Sequence, residues 1–289
     1  MLWTEGFSVM KRAAVNRIIP FSNVDGPGNR TSIFFQGCTF HCRFCHNPET
    51  MECCRHCGKC VPGCPAGALS VSETGTVLWD SKKCVRCDAC IRICPHFASP
   101  RVRWMTVPEV MEKLRRSMPY IDGITVSGGD CTLYPEFLTD LFSEVRREGK
   151  TCLIDANGAY DFSGDPALLK VCDGVMLDVK AVDAAWSAWL IGCPPDVVLK
   201  SLDYLLSVKK LAEVRTVILP FRDQENEQTV RYVAEKIGNH CPYKIIRYRP
   251  FGVKEDYQKQ LGEVETEEAY AERFAALARG LGASGAYVV

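Results

Sequence analysis

Cys38, Cys42 and Cys45 are spaced C-x-x-x-C-x-x-C and follow directly on an apolar run that ends in Phe34, Phe35 and Gln36. Three thiolates this close can hold three irons of a cubane cluster and leave the fourth iron open, as catalytic metal sites leave a position for an exogenous ligand. A zinc ion on the same cysteines, completed by His46, is the alternative that spacing alone leaves standing. Two longer runs follow. Cys54, Cys57, Cys60 and Cys64 precede Pro65, and Cys84, Cys87, Cys90 and Cys94 precede Pro95. Both have the C-x-x-C-x-x-C-x-x-x-C-P form of iron–sulfur runs. In two-cluster proteins of this kind the fourth cysteine of each run ligates the other cluster. That predicts one cubane on Cys54, Cys57, Cys60 and Cys94, and another on Cys84, Cys87, Cys90 and Cys64. A zinc ribbon also pairs C-x-x-C units, but it does not explain two copies of the longer run, each ending in Cys-Pro. Electron carriers beside an open-iron cluster make sense if that cluster must receive a low-potential electron from outside. The same clusters would also staple a segment too small to have its own core.

Twelve of the 17 cysteines lie between Cys38 and Cys94. A long chain with an odd cysteine total and no signal-like N-terminus argues against a secreted disulfide scaffold and for metal or cluster binding. Cys53 lies outside every run; it and Cys131, Cys152, Cys172, Cys193 and Cys241 are expected to be buried small apolar residues. Lys plus Arg equal Asp plus Glu at 35 each, so no overall field recruits nucleic acid or an anionic membrane. No apolar run approaches the roughly 20 residues of a membrane span. A soluble cytoplasmic protein is expected, with neither nucleic acid nor membrane among its partners.

The elements that must position these residues alternate. Short apolar runs at 31–35, 123–126, 151–154, 174–177, 214–219 and 244–248 read as strands, with helical patterns at 106–117, 135–147, 197–210, 225–237 and 267–278 between and after them. Thr106 and Glu109 form a capping-box signature at the start of the first helix. The alternation implies an α/β fold around a parallel sheet. About 240 residues remain outside the cysteine-rich segment, near the size of an eight-unit barrel, but six units are visible, so a partial (β/α)6 barrel fits better. The expected division is a barrel from 1–50 and 104–289, and a small α+β ferredoxin-like insert with two [4Fe-4S] clusters at 51–103. Chemistry in such a barrel lies at the C-terminal ends of the strands, which is where the first three cysteines fall.

At Cys38, Cys42 and Cys45 the sequence resembles the radical S-adenosylmethionine (radical SAM) superfamily. Asp25-Gly26-Pro27-Gly28 with Arg30, Gln36-Gly37-Cys38 and Cys45-His46-Asn47-Pro48 narrow the resemblance to the glycyl-radical-enzyme activating enzymes. The ferredoxin insert is most similar to that of the YjjW-type activases. The resemblance implies that S-adenosylmethionine chelates the open iron and is cleaved reductively to a 5'-deoxyadenosyl radical, which takes hydrogen from a glycine of a cognate glycyl radical enzyme. It implies flavodoxin or ferredoxin as electron donor, and a monomer when free. Carried over motif by motif, Phe44 would stack on adenine with His46 near its edge. Ser127-Gly128-Gly129-Asp130 would occupy the family's Gly-Gly-Glu site, with Gly128 and Gly129 approaching the methionyl amine through their backbone and Asp130 replacing Glu. Asp155-Ala156-Asn157-Gly158 and Asp178-Val179-Lys180 would meet the methionyl group and, in some members, a monovalent cation, to which Asp155 and Asp178 offer hard oxygens. Asn157 belongs to the same set, and Lys180 would pair with the cofactor carboxylate. Arg249 stands at the ungapped match for a family His near that carboxylate; a guanidinium could bind it bidentately. Two other readings remain: a radical SAM enzyme acting on a small molecule or peptide, and an electron-transfer protein that only holds clusters.

Overall fold

Nearly every residue of 30–35, 123–127 and 174–177 is buried, the mark of strands covered on both faces in a parallel sheet. A computed structural model describes residues 11–289 and assembles these segments into one nine-stranded sheet. The strands in chain order are β1 (Arg12–Ser22), β2 (Arg30–Phe35), β3 (Leu69–Val71), β4 (Val77–Trp79), β5 (Arg103–Thr106), β6 (Gly123–Gly128), β7 (Thr151–Ala156), β8 (Gly174–Asp178), β9 (Leu211–Ile218), β10 (Tyr243–Arg247) and β11 (Ala286–Val288). The large sheet runs β11-β10-β9-β8-β7-β6-β2-β1-β5. From β2 through β6, β7, β8, β9 and β10 every neighbouring pair is parallel. The helices are α1 (Ala89–Ile93), α2 (Val107–Leu114), α3 (Pro135–Arg147), α4 (Pro166–Val171), α5 (Ala184–Ile191), α6 (Asp196–Ser207), α7 (Asp223–Ile237), α8 (Glu255–Leu261) and α9 (Glu268–Gly280). Six successive parallel strands with helices between them, in a sheet whose ends do not meet, make a partial (β/α)6 barrel.

The elements differ from the sequence expectation in ways with local causes. β1 carries Pro20 and pairs irregularly, antiparallel to β2; its second neighbour β5 pairs only over Arg12–Val15, so Pro20 lies where no donor to that side is needed. α5, with the sequence AAWSAWLI, is apolar on every side and shows no helical stripe. The helix expected over 106–117 opens with its capping box, in which the Thr106 amide donates to Glu109 Oε2 at 2.7 Å. It ends at Leu114, and Pro119 belongs to a separate short turn.

The loop before β2 closes the N-terminal end of the barrel. Arg30 is buried there, its guanidinium donating to Thr125 Oγ1 at 2.8 Å, the Ile124 carbonyl at 2.6 Å and Thr151 Oγ1 at 3.0 Å. It thus ties β2 to β6 and β7. Burial lowers its pKa, but a guanidinium keeps its proton. Asp25 Oδ2 accepts from Ser22 and Ser32, both at 2.6 Å.

Between β2 and β5 lie the antiparallel pair β3–β4 and helix α1, around a separate apolar cluster of Cys60, Leu69, Val77 and Cys90. The two cysteine runs have matching backbones here. His56 and Gly58 take φ of 54° and 71°, and Arg86 and Asp88, at the same places in the second run, take 55° and 59°. Cys60 and Cys90 are buried while Cys57 and Cys87 are exposed. Among the described residues, no helix is long and apolar enough to cross a membrane.

Candidate active site and cluster cavities

The loop that follows β2 is pinned by its backbone. Gly37 and Cys38 donate to the carbonyls of Thr50 and Met51, each at 2.8 Å, and His41 and Arg43 to those of Ile191 and Leu190 at the end of α5. The Arg43 side chain lies over the Trp189 ring and donates to the Trp189 carbonyl at 2.7 Å. This loop lays Cys38, Cys42 and Cys45 along one wall of a cavity of about 220 Å³, together with Phe44 and His46. The strand ends line the same cavity: Ser127, Gly128 and Gly129 at the end of β6, Asp155 and Asn157 at the end of β7, and Asp178 and Lys180 at the end of β8.

Gly128, at φ +121°, could not carry a side chain, because a Cβ would stand 2.3 Å from both the amide nitrogen and the carbonyl oxygen of Phe35. A Cβ on Gly129 would meet the Gly37 carbonyl oxygen at 2.2 Å. The close approach that demands these glycines within the chain is thus to β2 and the cysteine loop. Asn157 Nδ2 donates to Thr39 Oγ1 at 2.9 Å and lies 3.7 Å from the Cys38 sulfur.

Burial pushes all three thiols up, Cys45 to about 12, while the Lys180 ammonium pulls each down. Burial opposes the charge on Lys180, yet Asp178, 2.8 Å away, and the Cys42 thiol raise it above its ordinary value. Asp155 Oδ1 pairs with Arg215 at 3.0 Å and its Oδ2 accepts from Ser127 Oγ at 2.9 Å. Burial raises the Asp155 carboxyl against the pull of Arg215. Arg215 also pairs with Glu213, and Glu213 with Lys244 at 3.2 Å. Sequence reasoning missed Arg215 and Glu213; their signal was two charges at alternate positions within an otherwise apolar strand, facing one side of β9.

Two expected cofactor contacts are turned elsewhere. Asp130 is buried, but its Oδ2 accepts from Thr39 at 2.7 Å and its Oδ1 caps the turn at Cys131 through the Thr132 amide at 3.0 Å. Its short side chain braces the cysteine loop instead of lining the cavity. The Arg249 guanidinium is half exposed and pairs with Glu265 at 3.1 Å. What Arg249 offers is its carbonyl, which accepts from His46 Nε2 at 2.8 Å. Burial lowers the pKa of His46, favouring the neutral ring, and Gly252, at φ +82°, lets the chain pass the His46 carbonyl, which a Cβ would meet at 2.4 Å. Cys53, expected to be buried, is exposed, and Cys193 is half buried, whereas Cys131, Cys152, Cys172 and Cys241 are buried.

Four cysteines of 51–103 share one cavity: Cys64 lines it with Cys84, Cys87 and Cys90. Cys60 is pushed up to about 11 by burial and then by the charges of Cys90, Cys54 and Cys94. The left-handed residues at matching places in both runs, His56 and Gly58 in the first and Arg86 and Asp88 in the second, give turns of the kind whose amides can line anion-binding concavities. Among the described residues no three His, Cys, Asp or Glu side chains converge tightly enough for a single metal ion.

The chain matches the Radical SAM superfamily over residues 32–233. It is 30% identical to a protein of Haemophilus influenzae provisionally named as a glycyl-radical enzyme activating enzyme, over 89% of this chain and 92% of that one. It is 29% identical to the choline trimethylamine-lyase activating enzyme of Oleidesulfovibrio alaskensis, over 88% of each chain. The crystal structure of SuiB from Streptococcus suis bound to S-adenosylmethionine shares the fold at a TM-score of 0.54 and 13% identity, spanning 88% of this chain and 48% of that one. With three closely spaced thiols facing charged strand ends in a partial barrel, the chain belongs to the radical SAM superfamily and, within it, to the glycyl-radical-enzyme activating enzymes.

Proposed function

We propose that this chain binds S-adenosylmethionine across the cavity between the cysteine loop and the strand ends, and activates a partner glycyl radical enzyme. The observation that carries this reading is the single cavity that joins Cys38, Cys42 and Cys45 to Asp155, Asn157, Asp178 and Lys180. When bound, the [4Fe-4S] cluster and S-adenosylmethionine supply reductive cleavage to a 5'-deoxyadenosyl radical, which takes hydrogen from the partner's glycine.

The chain's own residues hold, orient and keep dry. Cys38, Cys42 and Cys45 must lose their protons on taking iron, and their burial makes that loss depend on the metal. Lys180, buried and charged, is placed to meet the cofactor carboxylate. Gly128 and Gly129 offer backbone, Phe44 offers a ring for adenine, and neutral His46 is fixed at its edge by the Arg249 carbonyl. Asp155 and Asp178 are the hard oxygens on which a monovalent cation would sit. Asp130 and Arg249 act through Thr39 and His46 respectively.

The segment 51–103 would carry two further [4Fe-4S] clusters, on Cys54, Cys57, Cys60 and Cys94 and on Cys64, Cys84, Cys87 and Cys90, bringing electrons from flavodoxin or ferredoxin. Anaerobic incubation of the iron-reconstituted chain with S-adenosylmethionine, a reductant and the partner enzyme tests the activity. The expected result is a glycyl radical in the electron paramagnetic resonance spectrum, with one deoxyadenosine formed per radical. Deoxyadenosine without a glycyl radical would count against activation and favour a small-molecule or peptide substrate.

A further inference from the structure

The Trp79 indole N–H, at the end of β4, is buried and has no hydrogen-bond partner in the protein. Buried donors are rarely left so, because the lost water is not replaced. Trp79 lines the same small cavity as Cys64, Cys84, Cys87 and Cys90, and so does Arg101. Both side chains are held in place: the Arg103 guanidinium lies 5.1 Å from the Trp79 ring centroid, and Arg101 pairs with Asp88 at 2.7 Å.

We infer that Trp79 and Arg101 are positioning residues for the cluster held in this cavity: they donate N–H to its cysteine sulfur and raise its reduction potential. The inference rests on the three-cluster reading. The physical cause is general. Hydrogen bonds and positive charge at the sulfurs stabilise the more negative, reduced state of a cluster. One electron enters from a low-potential donor and passes on with no bond made or broken in the protein.

The test uses the full chain reconstituted with iron and sulfide, assayed for iron and titrated with a one-electron reductant under electron paramagnetic resonance. About 12 irons per chain are expected from three four-iron clusters; about 4 would overturn the three-cluster reading itself, before any question of tuning arises. In iron-replete protein, Trp79→Phe keeps the ring and removes the donor. One of three midpoints should fall by about tenfold in the ratio of reduced to oxidised cluster, about 59 mV for one electron, with the other two unmoved. Arg101→Gln should lower the same midpoint. Unchanged midpoints in both variants overturn the inference. Should Trp79→Phe lose iron, pulsed resonance on wild-type protein labelled with 15N-tryptophan decides: a nitrogen coupling at a reduced cluster supports the bond, and its absence at full iron content refutes it.

Discussion

Inside the barrel three acids, Asp155, Asp178 and Glu213, face three bases, Lys180, Arg215 and Lys244, so the interior is charge-balanced. Arg215 is their hub, its side chain only 10% exposed and in contact with both Asp155 and Glu213. Arg215→Met keeps much of the volume and removes the charge, leaving the interior with one uncompensated negative charge. Removing one partner of a buried pair costs about 3–5 kcal/mol, chiefly because the other is left unpaired away from water. For 289 residues, at an unfolding entropy of about 2.1 cal/mol/K per residue, that lowers Tm by about 5–8 °C. Anaerobic circular dichroism melts of wild type and variant at equal iron content measure it. The double variant Arg215→Met with Asp155→Asn restores neutrality and should recover about 1 kcal/mol or more through the coupling of neighbouring sites. A Tm drop under about 1 °C for the single variant, or a double variant whose losses simply add, would refute the reasoning, because it would mean water already screens these charges.

Other outcomes follow from the geometry. Cys42→Ala should abolish S-adenosylmethionine cleavage and leave about 8 irons per chain, while Cys57→Ala should retain cleavage with a strong chemical reductant; iron assay and deoxyadenosine analysis separate the two. Gly128→Ala drives a Cβ to 2.3 Å from the Phe35 backbone, so yield of folded protein should fall sharply; a variant with wild-type Tm would contradict that contact. Thr39→Val removes hydrogen bonds to Asp130 and Asn157, costing about 1–3 kcal/mol in denaturant unfolding and weakening cofactor binding measured by calorimetry. Removing iron with a chelator should expose 51–103 to protease before the barrel, since its own apolar cluster is small.

The chemistry was easier to read from the sequence than the supports. Cysteine spacing is a local signal, and strand ends such as Asp155 and Lys180 fall out of short apolar runs bounded by polar residues. What stayed hidden depends on contacts between distant segments. The role of Asp130 is fixed by Thr39, and that of Arg249 by His46, 203 positions away, so an ungapped match could not tell a guanidinium contact from a carbonyl contact. β1 was obscured by Pro20 and by its irregular pairing, and α5 by the absence of a polar face. Arg215 was legible in principle, because a charge within a buried strand must be answered by another.

Cys64 joins the cavity of the second run. With the fourth cysteines exchanged as proposed, each run would lend its last cysteine to the other, and neither half would be a module. On an emerging chain the first run would have three of its own thiols ready but could not close its cluster until Cys94 had been made, 30 residues beyond Cys64. Iron loading of the insert would then be concerted, passing from empty to full without a long-lived half-filled form. A break or deletion anywhere between the runs would cost both clusters at once, so the segment can be inherited, transplanted or lost only as a whole.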